Sequence, residues 1–440
     1  MKKILLLLPL VLLLVLVACD PKGKQPATFQ LPDVPDVVMY QVNPRVFAPQ
    51  QSLKAVTARL DSIAALGVNV IWVMPIYPIG EEKTKNSPYS IRDYKAIAPE
   101  FGTVDDLRQL IDSCHSRGIA LILDWVANHT AWDNPWLAQH PDWYTHDSLG
   151  NIIYPPNTDW TDVADLNYDN TDLRQAMIDA MMYWVTQVGV DGFRCDVADM
   201  VPVDFWRNAI DTLRAAAKPR QLLMLAEGNR PDNFDAGFDM NYAWNFKGTL
   251  VKVFTEGAPA TALVEADTAE YNGLPDGKVK LRFTTNHDNS TEVTPVAQFG
   301  PRGQMAAFVA TTFLHGGALI YGSQEVAYPN PINFFHYVPV DWTANPDIYR
   351  EYQRLIAIYN AESALRHGAP ASFSTPDVLL FSKGNGVYLV AVNVRDRETD
   401  VTIPDVLRNR QRINLLDSTQ VDTTARIHLA PYEYRIMKNK

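Results

Sequence analysis

Gly192-Phe193-Arg194-Cys195-Asp196-Val197-Ala198-Asp199 is the stretch on which the reading of this chain turns. It follows a helical run, Ala176 to Val188, through a Val190-Asp191-Gly192 turn, and it reads as a strand. Arg194 and Asp196 stand two residues apart, and alternate residues of a strand share a face. A charge on a buried strand has to be paired or put to use. Taken alone, such a pair is more often structural than functional. Its company argues otherwise, because further polar clusters recur upstream and downstream, each at the end of an apolar run.

Outward from this strand, short apolar runs alternate with stretches of helical period. Strands are expected at 37–42, 69–74, 119–125, 191–196, 222–226, 234–242, 278–284 and 318–321. Helices are expected between them, at 53–66, 103–117, 172–188, 202–217, 244–254, 262–271 and 302–314, with a last one at 348–364. Thr103 is an N-cap and Gly118 a C-cap signal. Eight strands, each followed by helix, predict a closed (β/α)8 barrel over 36–368. A doubly wound open sheet is the alternative, but no glycine-rich loop follows the first strand. Residues 127–170, polar and rich in Trp, Asn, His and Pro, break the alternation after strand three and are expected to form a short inserted subdomain. From 369 to 440 the texture is short β runs between turns, which predicts a small antiparallel β domain.

The chain start has a different character. Lys2-Lys3, the apolar run Ile4 to Val17, and Ala18-Cys19 form an export-signal pattern too short for a comfortable membrane span. Leu16-Val17-Ala18-Cys19 resembles a bacterial lipobox, so residues 1–19 are expected to be a lipoprotein signal peptide with Cys19 as the lipidated residue. Residues 20–35 then read as a tether. These features predict an exported, lipid-anchored protein on the periplasmic or cell-surface face. The roughly 420 residues that remain suit one large domain and a small one. A net charge of −11 argues against a nucleic-acid partner. Cys114 and Cys195 lie in apolar runs and read as two buried thiols rather than a disulfide.

In a barrel, functional residues sit at the C-terminal ends of the strands and in the loops just beyond. Those positions hold Asp124, Asn128 and His129 after strand three, Arg194 and Asp196 on strand four, Glu227 at the end of strand five, and Asn286, His287 and Asp288 after strand seven. No GxSxG elbow is present, and none of the nine histidines forms a zinc-type pair. Two carboxylates with an arginine beside one of them fit glycoside cleavage. The arginine keeps the neighbouring Asp ionised, and a Glu in a drier place stays protonated.

DWVANHT (124–130), GFRCDVAD (192–199), AEGN (226–229) and FTTNHD (283–288), in that order, resemble the four sequence regions of the α-amylase family, glycoside hydrolase family thirteen. SPYSIRDYKAIAPEFGT (87–103), DVADLNYDN (162–170) and YGSQE (321–325) extend the likeness over nearly the whole mature chain. The resemblance implies Asp196 as nucleophile, Glu227 as acid and then base, and Asp288 as the third carboxylate, gripping sugar hydroxyls. It implies sugar binding by Tyr89, His129, Arg194 and His287, with Asp124 bracing Arg194 or His129. Asn128 and Asp165 resemble two calcium ligands, whereas no organic cofactor is implied.

The chain also departs from the family. Asp199-Met200 stands where many starch-cleaving relatives have Lys-His, so the sugar contact that lysine makes is not expected here. No β domain precedes the barrel, unlike the cyclomaltodextrinase and neopullulanase type, and no starch-binding module is visible. The leading expectation is an α-amylase-like retaining glycosidase acting endo on α-glucans. An exo-acting α-glucosidase or glucanotransferase is the rival within the family, and a non-catalytic glycan-binding lipoprotein the rival outside it.

Overall fold

The structure, a computed structural model, describes residues 29–440. The expected signal peptide, Cys19 and the first part of the tether lie outside the described residues. Eight parallel strands close into a barrel: β1 (Val38–Val42), β2 (Val70–Val73), β3 (Ala120–Trp125), β4 (Gly192–Cys195), β5 (Leu223–Ala226), β6 (Met240–Tyr242), β7 (Val279–Arg282) and β8 (Gly317–Tyr321), with β8 pairing back onto β1. All eight are buried along their length, as parallel strands covered by helices must be. The barrel interior is packed by side chains such as Met39, Trp72, Ile122, Leu225, Tyr242 and Leu281.

The helices follow the strands in the expected order, with two differences. Residues 234–239 do not extend β6; a single helical turn, Asp232–Asp235, precedes a strand of only three residues. Asp239, just before β6, is held by Arg214 and Lys278, and its Oδ2 accepts from the Met224 N–H, which fixes a short strand start. The helix expected at 302 begins earlier, at Pro295, and continues to Leu314 across a kink at Gly300-Pro301. That kink is where a helix must break, since proline removes a donor and clashes with the preceding turn.

Between β3 and the helix Thr171–Tyr183 the chain makes a small two-stranded ribbon, His129–Ala131 against Val163–Asp165. After the barrel, strands 371–372, 378–383, 388–393, 434–439, 412–414 and 420–421 form one antiparallel sheet in that spatial order, and 399–402 pairs with 426–429. Cys114 and Cys195 are both free and buried.

The N-terminal end of the described chain belongs to the barrel floor. Phe29, Leu31 and Val34 pack on the interior cluster, and the Phe29 ring stacks on His115 at 4.1 Å. Of the expected tether, residues 29–35 are therefore packed against the barrel.

Candidate active site

At the start of β4, Gly192 lets two strands approach closely: a Cβ there would stand 1.9 Å from the Leu223 carbonyl oxygen. The strand beyond it carries Arg194 into the barrel mouth, fully buried. Nη1 of Arg194 donates to Asp124 Oδ1 and to Asp196 Oδ1, both at 2.8 Å. Nη2 stands 2.7 Å from Glu227 Oε2, off the line of a hydrogen bond, so that contact is ionic. The guanidinium is completed by Tyr242, whose hydroxyl accepts from Nε at 3.2 Å, and by the Trp72 ring 4.9 Å from the guanidinium carbon. One permanent cation thus serves three carboxylates.

Burial pushes the carboxyls of Asp124, Asp196 and Glu227 upward, against the pull of Arg194. Asp196 and Glu227 also repel each other's charge, so they titrate as a pair. The hydrogen bond from Arg194 favours the ionised form on Asp196, and Glu227 is left as the proton carrier. Oε2 of Glu227 also accepts from the Val197 N–H at 2.8 Å, which leaves Oε1 to face the cavity. Val197 holds a left-handed conformation (φ 34°, ψ 47°) that costs a β-branched residue about 1–3 kcal/mol.

Across the mouth, a second network orders the neutral groups. Gln41 Nε2 donates to His287 Nδ1 at 2.8 Å, and His287 Nε2 faces the Tyr89 hydroxyl at 2.7 Å and Asp288 Oδ1 at 3.2 Å. The Tyr89 hydroxyl donates on to Asp124 Oδ2 at 3.2 Å. Burial drives His129 and His287 down to about 4, so both work as neutral imidazoles. Asp288 is the open carboxylate, with its side chain 44% exposed, and Asn286 Nδ2 donates to its Oδ2 at 3.1 Å.

These groups surround one cavity of about 480 Å³, which gathers Tyr89, His129, Asp196, Glu227, His287 and Asp288. Every expected site residue around the three carboxylates is brought together, and Asp124 braces Arg194 rather than His129. Several lining residues were not anticipated. The Trp160 ring, from the inserted segment, stands edge-on to His129 at 5.6 Å. Phe334 and Phe335 come from the loop after β8, and Arg45 Nη1 pins their carbonyls at 3.2 and 3.0 Å. Gln41 sits on β1 as the one polar residue of an apolar strand. The aromatic pair in Asn333-Phe334-Phe335-His336-Tyr337, past the end of a barrel strand, was the available signal.

Asp165 ends the ribbon and Asn128 directly precedes it, near the cavity rather than in it. Asp165 is a buried carboxylate with no salt-bridge partner among the described residues, and burial raises its proton affinity. Among the described residues no group of three His, Cys, Asp or Glu side chains is arranged to hold a metal ion. A cation such as calcium fits there only if main-chain carbonyls and water complete its six to eight oxygens.

Residues 41–149 and 154–353 match the family model described as the alpha-amylase catalytic domain. The chain is 31% identical over 306 residues to alpha-amylase MalA of Haloarcula japonica, which covers 66% of this chain and 44% of that one. It is 26% identical over 343 residues to a cyclomaltodextrinase of a Bacillus species, covering 72% and 60%. The chain spans about half the length of the curated relatives it matches. Among solved structures, the maltogenic alpha-amylase AmyB of Thermotoga neapolitana superposes with a TM-score of 0.83 at 25% identity, covering 93% of this chain and all of that one. An alpha-amylase of Lactobacillus plantarum gives 0.80 at 27% identity, covering 92% and 99%. A matched model over more than half the chain, on a closed barrel whose mouth gathers these three carboxylates around one arginine, has one meaning: the chain belongs to the α-amylase family.

Proposed function

We propose that this chain is a retaining α-glycosidase that hydrolyses α-glucosidic bonds in starch- and maltodextrin-type glucans by double displacement. The observation that carries the reading is the shared guanidinium. Asp196 and Glu227 are held by the two terminal nitrogens of Arg194 at 2.8 and 2.7 Å. That arrangement favours the close spacing of about 5 Å used for retention over the wider gap of about 6.5–9.5 Å that admits a water for inversion.

In the first step an ionised Asp196 oxygen attacks the anomeric carbon while the bond to the leaving sugar breaks. Glu227 gives its proton to the departing oxygen. In the second step Glu227 takes a proton from water, whose oxygen attacks the same carbon and displaces Asp196. Asp288, with His129 and the Nε2–H of His287, grips hydroxyls of the sugar being cleaved, and burial strengthens those bonds as charge develops on the ring. Trp160 and Tyr89 offer ring surface for sugar faces.

The test is hydrolysis of maltoheptaose followed by NMR from the first turnover. The α-anomer should appear first, and Asp196→Asn should lose about 10³-fold or more in rate while still binding the oligosaccharide. A β-anomer first product, or an unchanged rate in Asp196→Asn, would overturn the reading. Glucose alone, or products longer than the substrate, would instead assign the exo-acting or transferase activity.

Two further elements belong to the proposal. Calcium held by Asn128 and Asp165 would tie the ribbon to the barrel and supply structural charge, not chemistry. The pattern of residues 2–19 supports export with a lipid anchor at Cys19.

A further inference from the structure

Asp199 ends the opening stretch, at the place where the family resemblance implies a sugar-contacting lysine in many starch-cleaving members. Its carboxylate faces away from that task. Oδ2 accepts from the main-chain N–H groups of Asn229 at 2.9 Å and Arg230 at 3.3 Å. Oδ1 accepts from Nδ2 of Asn233, a fully buried side chain, at 2.8 Å. The Asp199 carbonyl accepts from Arg230 Nη1 at 2.8 Å. Gly228 is packed so tightly under the carboxylate that a Cβ there would stand 2.1 Å from Oδ1.

All these partners lie on the segment between Glu227 and β6, the loop residues 228–230 and Asn233 on the helical turn beyond. That loop is tied at its other end as well, where the Ala198 N–H donates to the Glu227 carbonyl at 2.9 Å. Val197 directly precedes both ties, in its unfavourable left-handed turn, with its N–H aimed at Glu227 Oε2. A strained turn persists only when its surroundings over-determine it. Five hydrogen bonds within four residues of the acid are such surroundings.

We infer that Asp199 is a positioning residue for Glu227: it latches the loop after β5 onto the turn after β4 and so fixes the acid against Arg194 and the Val197 N–H. The inference rests on Glu227 being the proton donor. The position that relatives use to hold the leaving sugar is used here to hold the group that protonates it.

A positioning role separates from a merely structural one by leaving-group dependence. α-Maltosyl fluoride departs without a proton, whereas maltoheptaose needs one. In Asp199→Asn, kcat on maltoheptaose should fall roughly 10- to 100-fold, with KM within about threefold of the native value. The kcat/KM on the fluoride, which reads only the step up to leaving-group departure and not the shared water step, should fall far less than that on maltoheptaose. Both substrates read the same preparation, so a partly folded sample cannot imitate the ratio. The alkaline limb of the maltoheptaose pH profile should move to higher pH, because losing the Val197 hydrogen bond disfavours the carboxylate form. Gly228→Ala should reproduce the pattern, and Asp199→Ala should relieve part of the Gly228→Ala defect by vacating the space its Cβ needs. Equal losses on both substrates, or an unmoved alkaline limb, would overturn the latch while leaving the glycosidase reading intact. Native protein inactive on both substrates would remove the reading and the latch together.

Discussion

Gln41 Nε2 lies 2.8 Å from His287 Nδ1, and both side chains are buried. An amide nitrogen only donates, so Nδ1 accepts and the proton of His287 sits on Nε2, facing the Tyr89 hydroxyl and Asp288. The tautomer of a cavity-lining histidine is therefore set by a residue 246 positions away in the sequence. Gln41→Leu should leave that tautomer unfixed and lower kcat/KM on maltoheptaose by about 5- to 30-fold, the worth of roughly 1–2 kcal/mol of lost hydrogen bonding. Nitrogen chemical shifts of His287 read the tautomer directly. An unaltered Nε2–H state in the variant would refute the assignment.

The carboxyl of Glu227 is pushed up by burial, which makes the native state the better proton binder. Stability contributed this way is present at low pH and lost as pH rises from about 4.3, the ordinary glutamate value, through the raised native one. Glu227→Gln carries no charge to bury. It should melt higher than the native protein above neutrality and converge with it near pH 5. Parallel melting curves at every pH would count against a raised Glu227.

His287 works in the other direction. Its imidazole is held down to about 4 by burial, while the unfolded chain protonates near 6.5. The native state then binds fewer protons, and stability falls as pH drops from about 6.5 to about 4. This loss should lower the melting temperature towards acid pH, against the opposite contribution of Glu227 over the same range. His287→Gln should flatten the acid side, and a slope unchanged in that variant would assign the acid loss elsewhere.

Lys383, on the first long strand of the C-terminal sheet, is buried with its Nζ donating to the Leu365 carbonyl at 2.6 Å. Burial pulls its ammonium down to about 7. A depressed lysine costs stability progressively as pH falls from its ordinary value near 10.4 towards 7. Lys383→Met, of similar shape, should raise the melting temperature most at pH 7 and below, and least near pH 10. A difference independent of pH would show that packing, not charge, is what the substitution changes.

Asp165 offers a test of the proposed calcium. If the cation neutralises this buried carboxylate, a chelator should lower the melting temperature of the native protein and leave Asp165→Asn nearly unaffected. Equal responses, or none in the native protein, would remove calcium from this site.

Much of the architecture was legible because barrel strands are short apolar runs bounded by breakers. Val70–Val73 before Pro75 and Ala120–Trp125 after Gly118 announce themselves in this way. The three-residue β6 did not, because Phe234 and Phe238 continue an apolar texture that the fold spends on a helical turn and a loop. The three carboxylates were legible from their positions at strand ends and from the family motifs. Gln41 was hidden inside an apolar run, and Trp160 inside a segment without period. Asp199 could be seen to depart from its relatives, but not to turn inward. Its donors are two main-chain N–H groups and one side-chain amide some thirty residues downstream, and a sequence does not display such pairings.

Phe29, Leu31 and Val34 close the barrel floor, at the pole opposite the carboxylates. Any attachment made upstream of Phe29 therefore holds the molecule by its base. The stretch from Cys19 to Phe29 can reach at most about 35 Å. A lipid anchor of the kind proposed at Cys19 would therefore leave the barrel mouth facing away from the membrane.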